Sequence, residues 1–226
     1  NVAYLLKNND EIPSCKVEEC PNSICPRPVH DFERCCRPAR GSYGIPDDSI
    51  LLVYGGNLGR PQGLGFLLDI LDEMRSREEI YLLIVGSGTE YGRIQSHLTS
   101  GKHQNAKLIS SLPKAEYDDL LAECDVGLIF LDPRFTIPNF PSRLTAYMEA
   151  ALPIIAATDP NTDIKDVLHD SGSGYWVLNG DLAGFMEAVD QLVSDAALRR
   201  ETGQKGRAYL EKHYTTSRAY STIMSH

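Results

Sequence analysis

The chain has 226 residues, 42% hydrophobic and 23% charged, with a formal net charge of −9, a composition that fits one large soluble domain, or one domain plus fragments. The acidic balance argues against a nucleic-acid partner, because no basic stripe is present to neutralise a phosphate backbone. No apolar run approaches the ~20 residues needed to span a bilayer, and the first residues lack the charged and extended apolar regions of a secretory signal.

The sequence starts at Asn1 rather than Met, which suggests a piece of a longer protein. Residues 3–8 read as a short helix, followed by a polar turn and a possible strand at 16–19. Residues 25–48, rich in Pro, Cys and Arg, show no period and read as an irregular connector. Five cysteines crowd this region, Cys15, Cys20, Cys25, Cys35 and Cys36, and Cys124 stands apart. Their gaps of four, four and nine residues, then an adjacent pair, lack the Cys-x-x-Cys spacing of a zinc site. Free thiols in a reducing cytoplasm are expected.

From Ser49 the pattern changes. Residues 50–54 form a continuous apolar run, as a strand buried on both faces requires. A Gly-rich turn at 55–63 leads into a helix over 64–75. A strand at 80–85 ends on Gly86 and Gly88. A helix at 90–98, a strand at 106–109, a helix at 114–123 and a strand at 126–131 follow. Then come a Pro-rich loop, a helix opening near Ser142 and Arg143, and a strand at 153–156. The alternation closes with a helix at 162–168, a strand at 174–178, a helix at 182–193, and a mostly helical stretch over 196–224 broken near Thr215. Strands alternating with helices predict an α/β fold, a Rossmann-like doubly wound parallel sheet. Right-handed crossovers bring the C-terminal ends of the strands to one edge, so the loops 55–63, 86–89 and 132–142 should converge there.

The chemistry should lie in those loops. Ser142 stands where an N-cap belongs, and free N–H groups in the first helical turn form an anion site. Arg143 adds a charge that grips phosphate in two places. In the turn 55–63, Gly55 and Gly56 allow close backbone approach, Asn57 and Gln62 offer amide hydrogens, and Arg60 adds a second charge. This order is neither the Gly-x-Gly-x-x-Gly fingerprint nor a P-loop. A tight turn with solvated polar residues explains it about as well. Gly86 and Gly88 read as punctuation unless another site lies beside them. Glu149 reads as an ordinary helical residue. His30, His97, His103, His169, His213 and His226 form no visible cluster with Asp or Ser. Asp163 and Asp166 are expected to favour the positive end of the helix that follows Thr162, rather than to bind metal with Asp159.

Over residues 50–214, the segments 54–63, 84–88, 112–125 and 141–153 together resemble the C-terminal nucleotide-sugar-binding domain of a family-4-type glycosyltransferase of GT-B architecture, closest in flavour to bacterial capsule and O-antigen transferases. The resemblance implies residues 1–24 as a remnant of an N-terminal acceptor domain, 25–48 as a linker, 49–214 as the donor-binding domain, and 215–226 as a helix that returns to the N-terminal domain. It implies a donor site built from Gly55, Gly56, Asn57, Arg60, Gln62, Gly86, Gly88, Leu112, Pro113, Ser142, Arg143 and Leu144, with Leu112 and Pro113 against the nucleobase. Arg60 and Arg143 would stabilise the departing nucleoside diphosphate without a metal. The implied ligands are a UDP- or GDP-sugar and a saccharide or lipid-linked acceptor held by the missing domain, in surface polysaccharide synthesis, with no further cofactor. The implied location is the cytoplasm, with peripheral attachment at the inner membrane surface. The chain departs from the family at Pro138 and Ala146, where many members carry glutamates that touch the donor sugar and the ribose. A subset with Pro-Ser-Lys/Arg in the same loop shares this departure. The departure keeps a second reading open, a non-catalytic nucleotide-sugar-binding module. A third, a nucleotide-sugar 2-epimerase, would need acidic and His groups together in the cleft.

Overall fold

The computed structural model describes residues 2–28, 38–134 and 139–225. The strands are β1 (Ile50–Asn57), β2 (Ile80–Ser87), β3 (Ala106–Ile109), β4 (Val126–Phe130), β5 (Ile154–Thr158) and β6 (Gly174–Leu178). They form one sheet in the order β3-β2-β1-β4-β5-β6, and every neighbouring pair is parallel. The helices are α1 (Val2–Lys7), α2 (Pro38–Tyr43), α3 (Gly65–Met74), α4 (Tyr91–Gly101), α5 (Lys114–Ala122), α6 (Arg143–Glu149), α7 (Ile164–Ser171), α8 (Leu182–Ser194), α9 (Ala196–His213) and α10 (Thr216–Met224). The Rossmann-like expectation holds. None of the described helices is long and apolar enough to cross a membrane.

The apolar runs are continuous because each central strand feeds two cores. On β1, Leu52 and Tyr54 face one core, with Phe66 of α3 and Phe185 of α8. Leu51 and Val53 face the other, with Leu144 of α6 and Leu168 of α7. This is the period-two alternation of a strand, with both faces apolar.

The chain runs outward from β1 to β3, then returns to add β4 on the other side of β1. The strand order reverses at that point, where open α/β sheets bind ligands. Here β1 and β4 stay in register only at Leu52–Val126 and Val53–Gly127. Beyond that they diverge, and the phenol of Tyr147 from α6 fills the fork. Its oxygen accepts the Gly55 N–H at 3.1 Å, and its proton lies between the carbonyls of Leu128 at 3.1 Å and Val53 at 3.3 Å. A Cβ on Gly127 would lie 2.5 Å from the Tyr147 ring, so glycine there makes room for it. Burial pushes the phenol up to about 12, so the hydroxyl stays protonated and can both donate and accept.

Two segments differ from the sequence reading. The strand expected at 16–19 is absent. A short 3-10 turn at Ser14–Lys16 is followed by exposed irregular chain, since a strand needs a neighbour to take its backbone hydrogen bonds. The connector 25–48 is not irregular throughout, because it contains α2. Arg40 of that helix is fully buried and donates to Ser49 O at 2.7 Å, Glu123 O at 2.7 Å and Asp125 Oδ2 at 2.6 Å. The same Asp125 oxygen accepts the Leu51 N–H at 2.9 Å. Pro and Gly within 38–43 hide the helix from propensity rules, and a buried ion pair leaves no periodic signal. Further back, Ile24 bridges Thr215 at the start of α10. Cys15, Cys20 and Cys25 are exposed free thiols, and Cys124 is buried with its Sγ 3.3 Å from Leu120 O, while Cys35 and Cys36 lie outside the described residues.

Two variants test this frame. Arg40→Met strands the Asp125 carboxylate in the interior and should cost about 3–5 kcal/mol in denaturant unfolding. Adding Asp125→Asn, which keeps an acceptor for Leu51, should restore part of it. A single-variant cost under about 1 kcal/mol would contradict the anchoring role. Tyr147→Phe leaves a buried N–H and two carbonyls short of a partner and should cost about 1–3 kcal/mol. Unchanged unfolding would show that the fork does not depend on the hydroxyl.

Candidate functional site

The loops after β1 to β4 meet at the fork and are tied to one another. Leu58 N–H donates to Ser87 O at 2.8 Å, and Glu90 N–H donates to Leu58 O at 2.9 Å. Ser111 Oγ bonds Ser87 Oγ at 3.0 Å. Asp132 N–H donates to Pro61 O at 3.0 Å. Gly63, with φ +60°, lets the β1 loop pass against the β4 and β6 loops: a Cβ there would lie 2.8 Å from Asp132 Cα and 2.9 Å from Asn179 Nδ2. The expected convergence of 55–63 and 86–89 with the loop after β4 is therefore present. The β4 loop is described up to Arg134 and from Asn139 onward, and Pro138 lies outside the described residues.

Arg143 is the cation of this edge. Its guanidinium carbon lies 4.5 Å from the centroid of the buried Tyr54 ring. Its Nη2 donates to Gln62 Oε1 at 2.8 Å. Its Nη1 is buried and makes no hydrogen bond among the described residues. Gly56, with φ +126°, lies beside it, and a Cβ there would be 3.3 Å from Nη2. A half-buried guanidinium with one buried, unused donor nitrogen favours an anionic partner, because charged donors left unpaired away from water are costly. Burial pushes the Tyr54 phenol up, with Arg143 opposing, so the ring remains a neutral platform for the cation.

The other expected residues take varied parts. Gln62 is buried and presents its oxygen to Arg143, so it positions the guanidinium rather than offering only an amide hydrogen. Gly55 belongs to β1, and a Cβ on it would meet the Tyr117 hydroxyl at 1.9 Å, so packing alone demands glycine there. Gly86 and Gly88 are likewise packing glycines, in contact with the backbone of Gly56 and Leu58. Asn57 is exposed at the strand end. Arg60 sits on the rim, 88% exposed, 3.8 Å from Glu90. Leu112 packs partly against the core, and Pro113 is exposed at the start of α5.

The opening of α6 corrects the sequence reading. Ser142 does not cap: its own backbone is helical, at φ −59° and ψ −21°, and its side chain makes no cap bond. The turn already begins at Pro141, whose carbonyl takes the Leu144 N–H at 3.1 Å. Leu144 itself is fully buried in the core. The anion case therefore rests on the Arg143 side chain rather than on a capped helix end.

Several groups lie elsewhere. Glu149, at the far end of α6, accepts from Arg27 N at 2.9 Å and ion-pairs with its guanidinium, a structural contact. A groove beside Arg27, Asp118 and Arg207 lies at the edge where strands begin. Arg27 is paired there with Asp118 and Glu149, and Arg207 with Glu211. Asp163 and Asp166 do stand at the start of α7, as expected, and the buried Asp159 orders the turn before it by accepting from Asn161 N and Thr162 N. His97 and His103 do cluster with a carboxylate, Asp72, contrary to the sequence reading. His30 and His226 lie outside the described residues. Tyr147 and Tyr54 were not anticipated, because in sequence they are indistinguishable from core aromatics.

A model of the family described as glycosyl transferases group 1 matches residues 37–209. The probable glycosyltransferase WbjE of Pseudomonas aeruginosa is 25% identical over 137 residues, covering 61% of this chain and 34% of that protein. The N-acetyl-alpha-D-glucosaminyl L-malate synthase of Bacillus anthracis is 22% identical over 190 residues, covering 84% of this chain and 48% of that protein. The chain thus spans half or less of the length of these relatives. The solved structure of Anabaena HepE in complex with UDP and glucose superposes with a TM-score of 0.68 at 16% identity, covering 82% of this chain and 50% of that one, and shares the fold. With most of its length inside the family match and the sheet order on the page, the chain belongs to the group 1 glycosyl transferase family, as a C-terminal-type domain of GT-B architecture.

Proposed function

We propose that this chain is the donor-binding domain of a transferase that moves a hexose-type sugar from a nucleoside diphosphate to a saccharide or lipid-linked acceptor, with retention of configuration. The observation that carries the reading is the half-satisfied guanidinium of Arg143, held by Gln62 and Tyr54 at the β1/β4 switch point. A diphosphate oxygen approaching past Gly56 would meet the Nε/Nη2 side of the guanidinium and supply the negative charge that its own residues do not. As the sugar–oxygen bond breaks, charge grows on the β-phosphate, and a preorganised cation there lowers the barrier without a metal. Arg60 on the rim would close over the same phosphates. Leu112 and Pro113, beside the Ser87–Ser111 bond, would flank the base. The HepE complex with UDP and glucose supports a uridine nucleotide as the first donor to try.

The acceptor would be held by residues outside this chain, and surface polysaccharide synthesis in the cytoplasm, with attachment at the inner membrane face, remains the setting we favour. One observation favours the second reading, a module that binds nucleotide sugar without turnover. Ala146, at one of the two usual glutamate positions, packs against the core and offers no polar atom. An epimerase finds less support, since the described histidine–carboxylate cluster is at the other edge of the sheet.

Calorimetry with UDP and GDP tests the phosphate site. Arg143→Ala should weaken UDP binding about 10- to 100-fold, the loss of a charge-assisted pair. Arg143→Lys should recover little, because an ammonium cannot span Gln62 and a phosphate in one plane. Equal affinity in wild type and Arg143→Ala would contradict the assignment. Donor turnover separates the two readings. The full-length protein should transfer sugar from one member of a UDP- and GDP-sugar panel, while this chain alone binds nucleotide with little or no turnover. Retained binding with no transfer by the full-length protein would favour the module.

A further inference from the structure

At the sheet edge where strands begin, away from the fork, three side chains from separate elements converge. Asp72 lies near the end of α3, His97 is on α4, and His103 follows α4 just before β3. His97 Nε2 lies 3.1 Å from Asp72 Oδ1, and His103 Nε2 lies 3.4 Å from the same oxygen. The three potential ligand atoms are all within 4.8 Å of one another. The His103 side chain is fully buried, yet its Nδ1 has no partner and its Nε2 has only the long approach to Asp72, which does not meet hydrogen-bond geometry. Buried polar atoms almost always have partners, so an orphaned imidazole calls for an explanation. The fold also makes space for this ring. A Cβ on Gly101 would lie 2.4 Å from His103 Nε2, and Lys102 adopts a left-handed turn (φ 52°) that leads the chain into His103.

We propose that Asp72, His97 and His103 form a binding site for a zinc-type divalent cation that pins the end of α3 to α4 and the start of β3. The chemistry of the set fits: two imidazoles and one carboxylate are borderline ligands suited to zinc. The geometry fits as well. Bonds of about 2.0–2.1 Å in a tetrahedron separate ligand atoms by about 3.3 Å; the two edges to Asp72, 3.1 and 3.4 Å, match this, and the third, between the imidazoles, lies within 4.8 Å and closes by rotation of the partly exposed His97. The exposed side, where Asp72 and His97 reach the surface, admits water as the fourth ligand. Arg75 lies 2.5 Å from Asp72 Oδ1 and is half exposed, so it can swing into solvent when the cation binds. The ligands lie 25 and 6 residues apart in the sequence, outside the usual zinc spacings, and only the packing of α3 on α4 joins them.

The test uses zinc chloride and cobalt(II) chloride with this chain under reducing conditions. The exposed cysteines can also bind these ions, so the site is read by difference. Wild type should take up one more equivalent than His97→Gln. It should also show cobalt visible bands of a tetrahedral site that lack thiolate-to-metal charge transfer and are absent in His97→Gln. At a hundredfold excess over Kd, zinc should raise the wild-type Tm by about 5–10 °C more than that of His97→Gln. His97 is partly exposed, so its replacement should leave the fold intact, and Asp72→Asn provides a second variant that removes a ligand. The same stoichiometry and the same Tm response in wild type and both variants would overturn the proposal.

Discussion

The site depends on one phenolic hydroxyl in a place where a parallel sheet cannot satisfy itself. Where β1 and β4 part, their backbone groups lose each other as partners, and water would be the ordinary replacement. Tyr147 replaces it from within, accepting from Gly55 and donating toward Val53 and Leu128. That fixes the last residues of β1 before the glycine turn, and it fixes α6, from which Arg143 projects one turn earlier. The fork and the cation are therefore positioned by the same short helix.

Around that fork the molecule assembles a cation that its own residues only half satisfy. Tyr54 supplies a π face, Gln62 supplies an oxygen, and Gly56 keeps the approach clear. The loop-to-loop bonds through Leu58, Ser87, Ser111 and Asp132 hold the surrounding walls. Such preorganisation matters for group transfer, because charge that develops on a leaving phosphate is stabilised most by dipoles and cations already in place. The zinc-type site we infer sits at the other edge and would stiffen α3 and α4, the helices that follow the two loops nearest Arg143.

The fold was legible because its signals are local. Short apolar runs such as 50–54 and 80–85, too short for a buried helix and closed by Gly-rich turns, read as doubly buried strands, and those turns give the crossovers. The site was legible only in part. Arg143 stood out as a charge at a helix start, but the capping role of Ser142 failed because Pro141 begins the turn one residue early. Gly55, Gly86 and Gly88 read as turn glycines, and the structure adds that close packing also requires glycine at each. That requirement depends on which backbone passes overhead, which no local pattern records. The α2 helix, the Arg40–Asp125 pair and the Asp72–His97–His103 cluster were invisible for the same reason. Each joins residues distant in sequence through tertiary packing, with no period or spacing to read.

The central claim is that Arg143 contacts the diphosphate of the donor rather than its base or sugar. A binding cycle across uridine, UMP and UDP, in wild type and Arg143→Ala, tests it most directly. The account predicts that the substitution leaves uridine binding nearly unchanged, weakens UMP modestly and weakens UDP most. An equal loss for all three ligands would mean that Arg143 supports the site only as a structural element, and would contradict the account.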